Sequence, residues 1–179
     1  MKKDNWIYKV FLMTFFLTLI ISLITNSITN NSNVFIMIII TILVISIGII
    51  FDMIGTATLT CSEVPFHAKS SRKIKGAKES LSLIKNSVKV SSICNDVIGD
   101  ICGIISGGMG AMVAISLSKV LNGNIILASL IVSSLISSIT VGGKAICKNI
   151  AINNCEKIVF IVGKINSVLK LTKWLVFLF

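Results

Sequence analysis

Three acidic residues stand inside long apolar segments of the chain. Asp52 lies in the run from Val34 to about Thr58, and Asp96 and Asp100 lie in the stretch from Ser91 to Leu121. A charge in the middle of a membrane span costs about 2.5 to 3.5 kcal/mol on insertion scales, so such acids are expected to face the protein interior. Carboxylate oxygens suit hard cations such as Mg²⁺. The three aspartates are therefore the candidate functional residues of the chain.

Two of these acids share a helical stripe with small residues. At 100° per residue, Asp96, Asp100, Gly103 and Gly107 fall within about 60° of one another. Gly99, Gly103 and Gly107 form a G-x-x-x-G-x-x-x-G repeat, which allows another helix to approach closely. The next apolar run adds hydroxyl groups that suit such packing or a cation: Ser129, Ser133, Ser134, Ser137, Ser138 and Thr140.

A plainer interpretation of the same residues stays open. Asp96 and Asp100 can lie near the cytoplasmic mouth of a span, where they are solvated or paired with Lys89. The glycines and serines then only pack helices.

Composition defines the class of protein that must position these residues. Of 179 residues, 54% are hydrophobic and 13% charged, and the mean hydropathy is +0.95. This apolar content exceeds what a soluble core of this size could bury. We expect an all-α integral membrane protein with about four spans and a cytoplasmic, amphipathic basic helix.

Several functional classes are disfavoured by what the sequence does not contain. The net charge of +10 lies beside apolar segments, and no nucleic-acid-binding motif accompanies it, so we expect no nucleic-acid partner. No nucleophile–base pair, phosphate loop or redox motif is present, so we do not expect an enzyme. The five cysteines are odd in number and lack C-x-x-C spacing, which indicates free thiols.

Positive charges predict the topology of a multi-pass protein of the cell membrane. The first apolar run, Trp6 to Thr25, is too long for a signal peptide, and neither the polar segment 26–33 nor the turn 122–124 contains Lys or Arg. Residues 62–89 instead contain seven Lys or Arg residues and two Glu residues. By the positive-inside rule, we expect the N-terminus and residues 62–89 to be cytoplasmic.

The basic segment 62–89 is expected to lie on the membrane surface. Its apolar residues recur at helical spacing, after a turn at Pro65, and its lysines suit anionic lipid as a partner. The apolar positions are Ile74, Ala77, Leu81, Ile84 and Val88. We also expect a break or tilt at Gly107, Gly108 and Gly110 in the long third stretch, and an interfacial helix over 158–179 in place of a clean span.

Three blocks, in order, resemble the transmembrane domain of the CNNM/CorC (CorB, hemolysin-C-like) magnesium transporters. Residues 51–60 (FDMIGTATLT) resemble that family's F-S-x-S-E-T-A-L-T segment, and residues 95–101 (NDVIGDI) resemble G-N-x-x-x-N-I. Residues 143–151 (GKAICKNIA) with 154–158 (NCEKI) resemble G-E-I-I-P-K-x-I-A followed by N-x-E-x-I. The likeness covers 34–179, leaving 1–33 as an added span and external loop, without the family's CBS or C-terminal domains.

The resemblance implies a homodimer that binds and moves Mg²⁺ or a similar divalent cation. It carries Asp52, Asp96 and Asp100 over as the ligand positions. The chain departs from the family at Gly55 and Lys144, which replace glutamates, and at Cys147, which replaces a proline.

Lys144 can neutralise an acidic site, so a second hypothesis stays open. The chain is then a membrane scaffold or regulator that keeps the fold, does not transport, and binds anionic lipid. A pore-forming protein is a third, less favoured interpretation.

Overall fold

The computed structural model describes residues 4–29, 33–120 and 123–169, and every regular element in these ranges is a helix. Residues 92–99, between α5 and α6, form a π-helical turn. The α-helices are α1 (Asp4–Thr29), α2 (Val34–Thr60), α3 (Val64–Ser71), α4 (Ala77–Lys85), α5 (Ser87–Ser91), α6 (Asp100–Val120), α7 (Ile125–Asn153) and α8 (Cys155–Leu169).

Four of the described segments are long and apolar enough to cross a membrane: Val10–Ser27, Val34–Thr60, Ser87–Val120 and Ile125–Asn153. Their Ile, Leu and Val runs contain no proline, so each can satisfy its backbone hydrogen bonds internally, as lipid requires. The expected fold class, all-α with about four spans, is confirmed. The 15-residue helix α8 is not one of the four, and the rest of the predicted interfacial segment, residues 170–179, lies outside the described residues.

Several hydroxyl groups within these helices donate to carbonyls of their own helix three or four residues earlier. Thr41 Oγ1 donates to the carbonyl of Met37 at 2.8 Å, and Thr140 Oγ1 donates to that of Ile136 at 2.7 Å. The same local bond is made by Ser129, Ser133 and Ser138 of α7. These α7 hydroxyls therefore need no partner helix to satisfy their hydrogens in an apolar medium.

The chain divides into two compact units, and the first consists of residues 1–49 and 97–143. Its core is one stripe of the region around α6: Val97, Ile101, Ile105 and Met109, all buried. Apolar residues of α1 and of the first half of α2 pack against this stripe. The spacing of four residues places the stripe on one helix face, which makes α6 the centre of the unit.

Glycines set the close contacts in this first unit. A Cβ on Gly48 of α2 would lie 2.9 Å from the Cβ of Cys102 on α6. A Cβ on Gly110 would meet Ile136 of α7, and one on Gly143 would meet Ile49 of α2. Small residues therefore allow α2, α6 and α7 to approach one another, as expected for helices that pack in lipid.

Of the break or tilt expected at the glycines of α6, the break is absent, because the helix continues from Asp100 to Val120. Lipid tolerates glycine in a helix because no water competes for its backbone groups. The irregularity lies earlier, in the π-helical turn at 92–99, which the sequence analysis did not predict. Turns of this kind often occur at functional sites.

The second unit consists of residues 50–96 and 144–179 and contains the basic segment. Segment 62–89 is not one helix, since α3 and α4 are separated by a turn at 72–76. Pro65 lies in the first turn of α3, where its missing N–H leaves no helical hydrogen bond unmade. Phe66 is fully buried among Ala57, Ile84 and Val159.

Lys69 helps to join α3 to α8. Its Nζ lies 5.1 Å from the ring centroid of Phe66 and 5.2 Å from that of Phe160. The same ammonium lies 3.8 Å from the Glu156 carboxylate. One cation thus contacts two aromatic rings and an acid across the α3–α8 junction.

Only the middle of the predicted amphipathic helix is present, as α4, because Ile74 lies in the preceding turn and Val88 in α5. Helix α8 covers the apolar face of α4. Ser80 is fully buried, and its Oγ donates to the Gly76 carbonyl at 2.8 Å and to the Val159 carbonyl at 3.1 Å. A Cβ on Gly163 would clash with Ser80 and with the Gly76 carbonyl. Helices α3, α4 and α8 therefore pack together. We call residues 64–85 and 155–169 the basic surface module.

Gly48→Ala is expected to destabilise the chain by about 1–3 kcal/mol, because the new methyl group overpacks the α2–α6 contact. Gly107→Ala is the matched control, since a Cβ at Gly107 meets open space within this chain. Helix propensity makes that control neutral or stabilising by up to about 1 kcal/mol. Unfolding free energies in detergent compare the two. Equal effects of both substitutions would contradict the packing role of Gly48.

Candidate intramembrane acidic site

Asp52 lies on α2 and is paired with a lysine of α7. Lys144 Nζ is 3.8 Å from Asp52 Oδ1, and the two side chains are only 29% and 16% exposed, respectively. Both residues belong to the second unit and to helices long enough to cross a membrane. In such a setting, the ammonium compensates a carboxylate that would otherwise be costly to insert. Asp52 therefore already has a cationic partner.

Asp96 and Asp100 lie at and just after the π-helical turn, and both side chains are exposed in this chain. The Ser92 hydroxyl donates a hydrogen bond to Asp96 Oδ2 at 2.7 Å. Asp100 is the first residue of α6. Asp96 belongs to the second unit and Asp100 to the first, so their placement is described only along the helix.

The expected glycine stripe is open on the α6 surface. A Cβ added at Gly103 or Gly107 would meet nothing within 4 Å. In the first unit, the glycines that make close contacts are instead Gly48, Gly110 and Gly143. A second copy packing on the open face, as the homodimer hypothesis requires, stays a prediction.

Over 4–29, 33–120 and 123–169, no group of three or more His, Cys, Asp or Glu side chains is placed to hold a metal ion. The ion pair at Asp52 and the hydrogen bond at Asp96 are the contacts that the structure gives to the predicted ligands. Mg²⁺ binding by Asp52, Asp96 and Asp100 therefore stays a prediction.

Asn95 is a polar residue of this region that sequence reasoning assigned no role. Its Oδ1 is buried and finds no hydrogen-bond donor among the described residues, while its Nδ2 donates to Ser91 Oγ at 3.2 Å. Asn95 Oδ1 lies against Gly55 of α2, where a Cβ would collide with it. The sequence contained a signal for this contact, because glycine stands at position 55 where the CNNM/CorC segment that the chain resembles has a glutamate. Only glycine leaves room for this amide.

A thiol pair lies just beyond the end of α2. Cys61 is buried in the cluster around Phe66, and Cys155 packs against that cluster. Burial, together with a hydrogen bond to the Cys155 thiol, raises the pKa of Cys61 from 9.0 to about 12. All five cysteines are free thiols. Cys61 is thus held protonated and unreactive at neutral pH.

Comparisons with protein-family models, with curated proteins and with solved structures gave no match to this chain. The CNNM/CorC resemblance therefore stands on its three sequence blocks alone. Over its described residues, the structure defines a coarser class: an all-α protein with four helical segments that are long and apolar enough to cross a membrane.

Lys144→Gln is expected to destabilise the chain by roughly 1–3 kcal/mol, because Asp52 loses its partner within a span. The double variant Asp52→Asn/Lys144→Gln should recover part of that loss, since it leaves no uncompensated charge. Lys148→Gln is the matched control, because Lys148 is exposed one turn further along α7. The measurement is a double-mutant cycle of unfolding free energies. Additive single effects would contradict the pairing.

Cys61 is expected to resist N-ethylmaleimide at about pH 8 in the folded chain, because alkylation requires the thiolate. Cys155, which is partly exposed, serves as the internal control and should react first. Mass spectrometry of the alkylated peptides measures both sites. After denaturation both thiols should react at similar rates. Equal labelling of the two thiols in the folded chain would show that Cys61 is not protected.

Proposed function

We propose that this chain is a non-transporting membrane scaffold or regulator, with its basic segment on the cytoplasmic side in contact with anionic lipid. The observation that carries the proposal is the 3.8 Å pair between Lys144 and Asp52. Lys144 stands where the resembling transporters have a glutamate, and Asp52 stands at a position implied to hold the ion. The chain thus supplies its own cation at that position.

The physical consequence is competition for the Asp52 carboxylate. A divalent cation would have to displace a tethered ammonium and would then lie beside it, within a span where charges are weakly screened. Mg²⁺ also gives up its hydration water reluctantly and needs near-octahedral oxygen ligands. A lysine at this position opposes both entry and retention of the ion.

A second candidate function is the binding and transport of Mg²⁺ or a similar divalent cation. The observation that favours it is the exposure of Asp96 and Asp100, one turn apart along the helix and adjoining the π-helical turn. Two carboxylates are the number that Mg²⁺ commonly takes from a protein, with water as its other ligands. A second copy of the chain, in the expected homodimer, would then complete the site.

Titration with Mg²⁺ distinguishes the two functions. Under the scaffold proposal, the melting temperature of the purified chain is expected to stay unchanged up to roughly 10 mM Mg²⁺ at constant ionic strength, since a ligand stabilises only by binding the folded state. Saturable stabilisation that Asp96→Asn/Asp100→Asn abolishes would overturn the scaffold proposal and support cation binding.

The matched control for that double variant is Glu63→Gln/Glu79→Gln, which removes two acidic charges from the basic segment. If both double variants lose the effect equally, the stabilisation comes from net charge and not from a site. Lys144→Gln is the third variant in this experiment, because it removes the ammonium group that pairs with the Asp52 carboxylate. A Mg²⁺ response that appears only in Lys144→Gln is the result most specific to the scaffold proposal.

A further inference from the structure

A basic cleft lies on the surface module, between the α3–α4 turn and α8. Its volume is about 480 Å³, within the range of small-ligand sites. Its lining residues include three lysines and one glutamate, whose formal charges sum to +2. The lining residues are Lys73, Ile74, Lys75, Gly76, Lys78, Glu79 and Ser167.

Backbone geometry holds the lysines of this cleft in place. The turn is closed by hydrogen bonds from Lys73 N to the Ser70 carbonyl at 3.0 Å and from Ala77 N to the Ile74 carbonyl at 3.1 Å. Lys73 has a φ of 54° and Gly76 a φ of 90°, both in the left-handed region. Two such residues within four positions bend the chain sharply. Lys73, Lys75 and Lys78 thereby come to line one concave surface.

Helix α8 forms the opposite wall and fixes the turn against it. A Cβ on Gly76 would lie 2.8 Å from both the N and the Cα of Lys164, so only glycine allows this backbone contact. Gly163 and Ser80 make the equally close contact one turn along α4. The cleft is thus part of a packed structure and not of a solvated basic tail.

The position of the module along the chain favours a ligand at the membrane surface. The basic segment is joined at one end to α2, which ends at Thr60, and at the other to the apolar segment that begins at Ser87. Both are candidate membrane spans. A segment tethered at both ends in this way cannot move far from the lipid headgroups, whose phosphates are anionic.

We propose that the cleft lined by Lys73, Lys75 and Lys78 binds the phosphate of an anionic phospholipid headgroup. The ammonium groups of Lys73, Lys75 and Lys78 supply charge and N–H donors to the phosphate oxygens. Glu79 and Ser167 line the same cleft and suit the hydroxyl groups of a polar headgroup. The inference rests on the scaffold proposal and deepens it by assigning the lipid contact to one site.

The test titrates the full-length chain, purified in nonionic detergent, with dioctanoyl phosphatidylglycerol, and native mass spectrometry measures Kd. The cleft variant is Lys73→Gln/Lys75→Gln/Lys78→Gln. Each lysine near an anionic surface contributes about fivefold in affinity, so we expect the cleft variant to bind at least about tenfold more weakly. In dioctanoyl phosphatidylcholine, the choline ammonium neutralises the charge of the phosphate. This lipid should therefore bind the wild type at least about tenfold more weakly than phosphatidylglycerol does.

The matched control replaces three exposed lysines that do not line the cleft, as Lys85→Gln/Lys148→Gln/Lys157→Gln. It makes the same change in net charge, and its Kd for phosphatidylglycerol should stay within about twofold of wild type. Equal losses in the cleft and control variants would overturn the site and leave a diffuse charge effect. Equal binding of phosphatidylglycerol and phosphatidylcholine by the wild type would also overturn it.

Inorganic phosphate distinguishes a lipid from a soluble ligand. Phosphate that competes at its own micromolar Kd would show that a free anion suffices and would overturn the lipid assignment. The Mg²⁺ titration on the same preparations is a separate readout. Failure of the lipid test with no Mg²⁺ response removes the cleft and leaves the scaffold proposal. A Mg²⁺ response lost in Asp96→Asn/Asp100→Asn removes the scaffold proposal instead.

Circular dichroism of the cleft variant without lipid must match wild type. If the variant does not fold, acetylation of the wild-type chain in vesicles provides the second measurement. Vesicles of phosphatidylglycerol should slow the acetylation of Lys73, Lys75 and Lys78 at least about threefold relative to Lys85, when compared with phosphatidylcholine vesicles. Uniform protection of all four lysines would overturn the proposal.

Discussion

The fold depends on the requirement that an apolar medium places on the peptide backbone. In lipid, each buried N–H and C=O must find a partner within the protein, and a helix supplies those partners locally. The apolar runs of this chain meet the requirement, and their serine and threonine hydroxyls bond to carbonyls three or four residues earlier. Once the backbone hydrogen bonds are made within each helix, the hydrophobic effect no longer drives the helices together in lipid. Their association must then come from surfaces that fit closely. Glycine provides that fit at Gly48, Gly110 and Gly143.

The same medium determines how charges can be placed. An isolated carboxylate in a span is costly, and the chain meets this cost at Asp52 with an ammonium from another helix. Asp96 and Asp100 are treated differently, because one accepts a serine hydroxyl and both are exposed beside a π-helical turn. Acids with similar sequence contexts thus have different electrostatic environments. This difference is what separates the scaffold and cation-binding interpretations.

The basic surface module is stabilised in a different way from the long apolar helices. Its short helices α3 and α4 are too brief to be stable alone, so their structure depends on packing against α8. Phe66 and Ser80 are fully buried at that contact, and the Gly76–Gly163 region allows the backbones to touch. Consequently, Lys73, Lys75 and Lys78 line one concave surface beside this contact.

The sequence by itself determined the fold class and where the four long apolar segments lie, because hydropathy is a property of a continuous segment. It did not determine where the helices end, since α7 continues to Asn153, well beyond its most apolar part. It also determined which acids lie within apolar runs and which segment is basic. The glycines of α6 were visible in the sequence as a place for a break or tilt, but the helix is unbroken there and the π-helical turn precedes it. Whether a glycine packs or stays open depends on which neighbour reaches it, and that is not a local property.

Only the tertiary structure decided the pairings. Lys144 and Asp52 are separated by 92 positions in the numbering, and no helical period relates them. The burial of Asn95 Oδ1 against Gly55, the contact of Cys61 with Cys155, and the covering of α4 by α8 are likewise contacts between distant segments. Periodicity predicts that a helix has an apolar face, but it cannot tell whether lipid or another helix covers that face. Here the answer for α4 is another helix, because small residues on both sides let the two backbones meet.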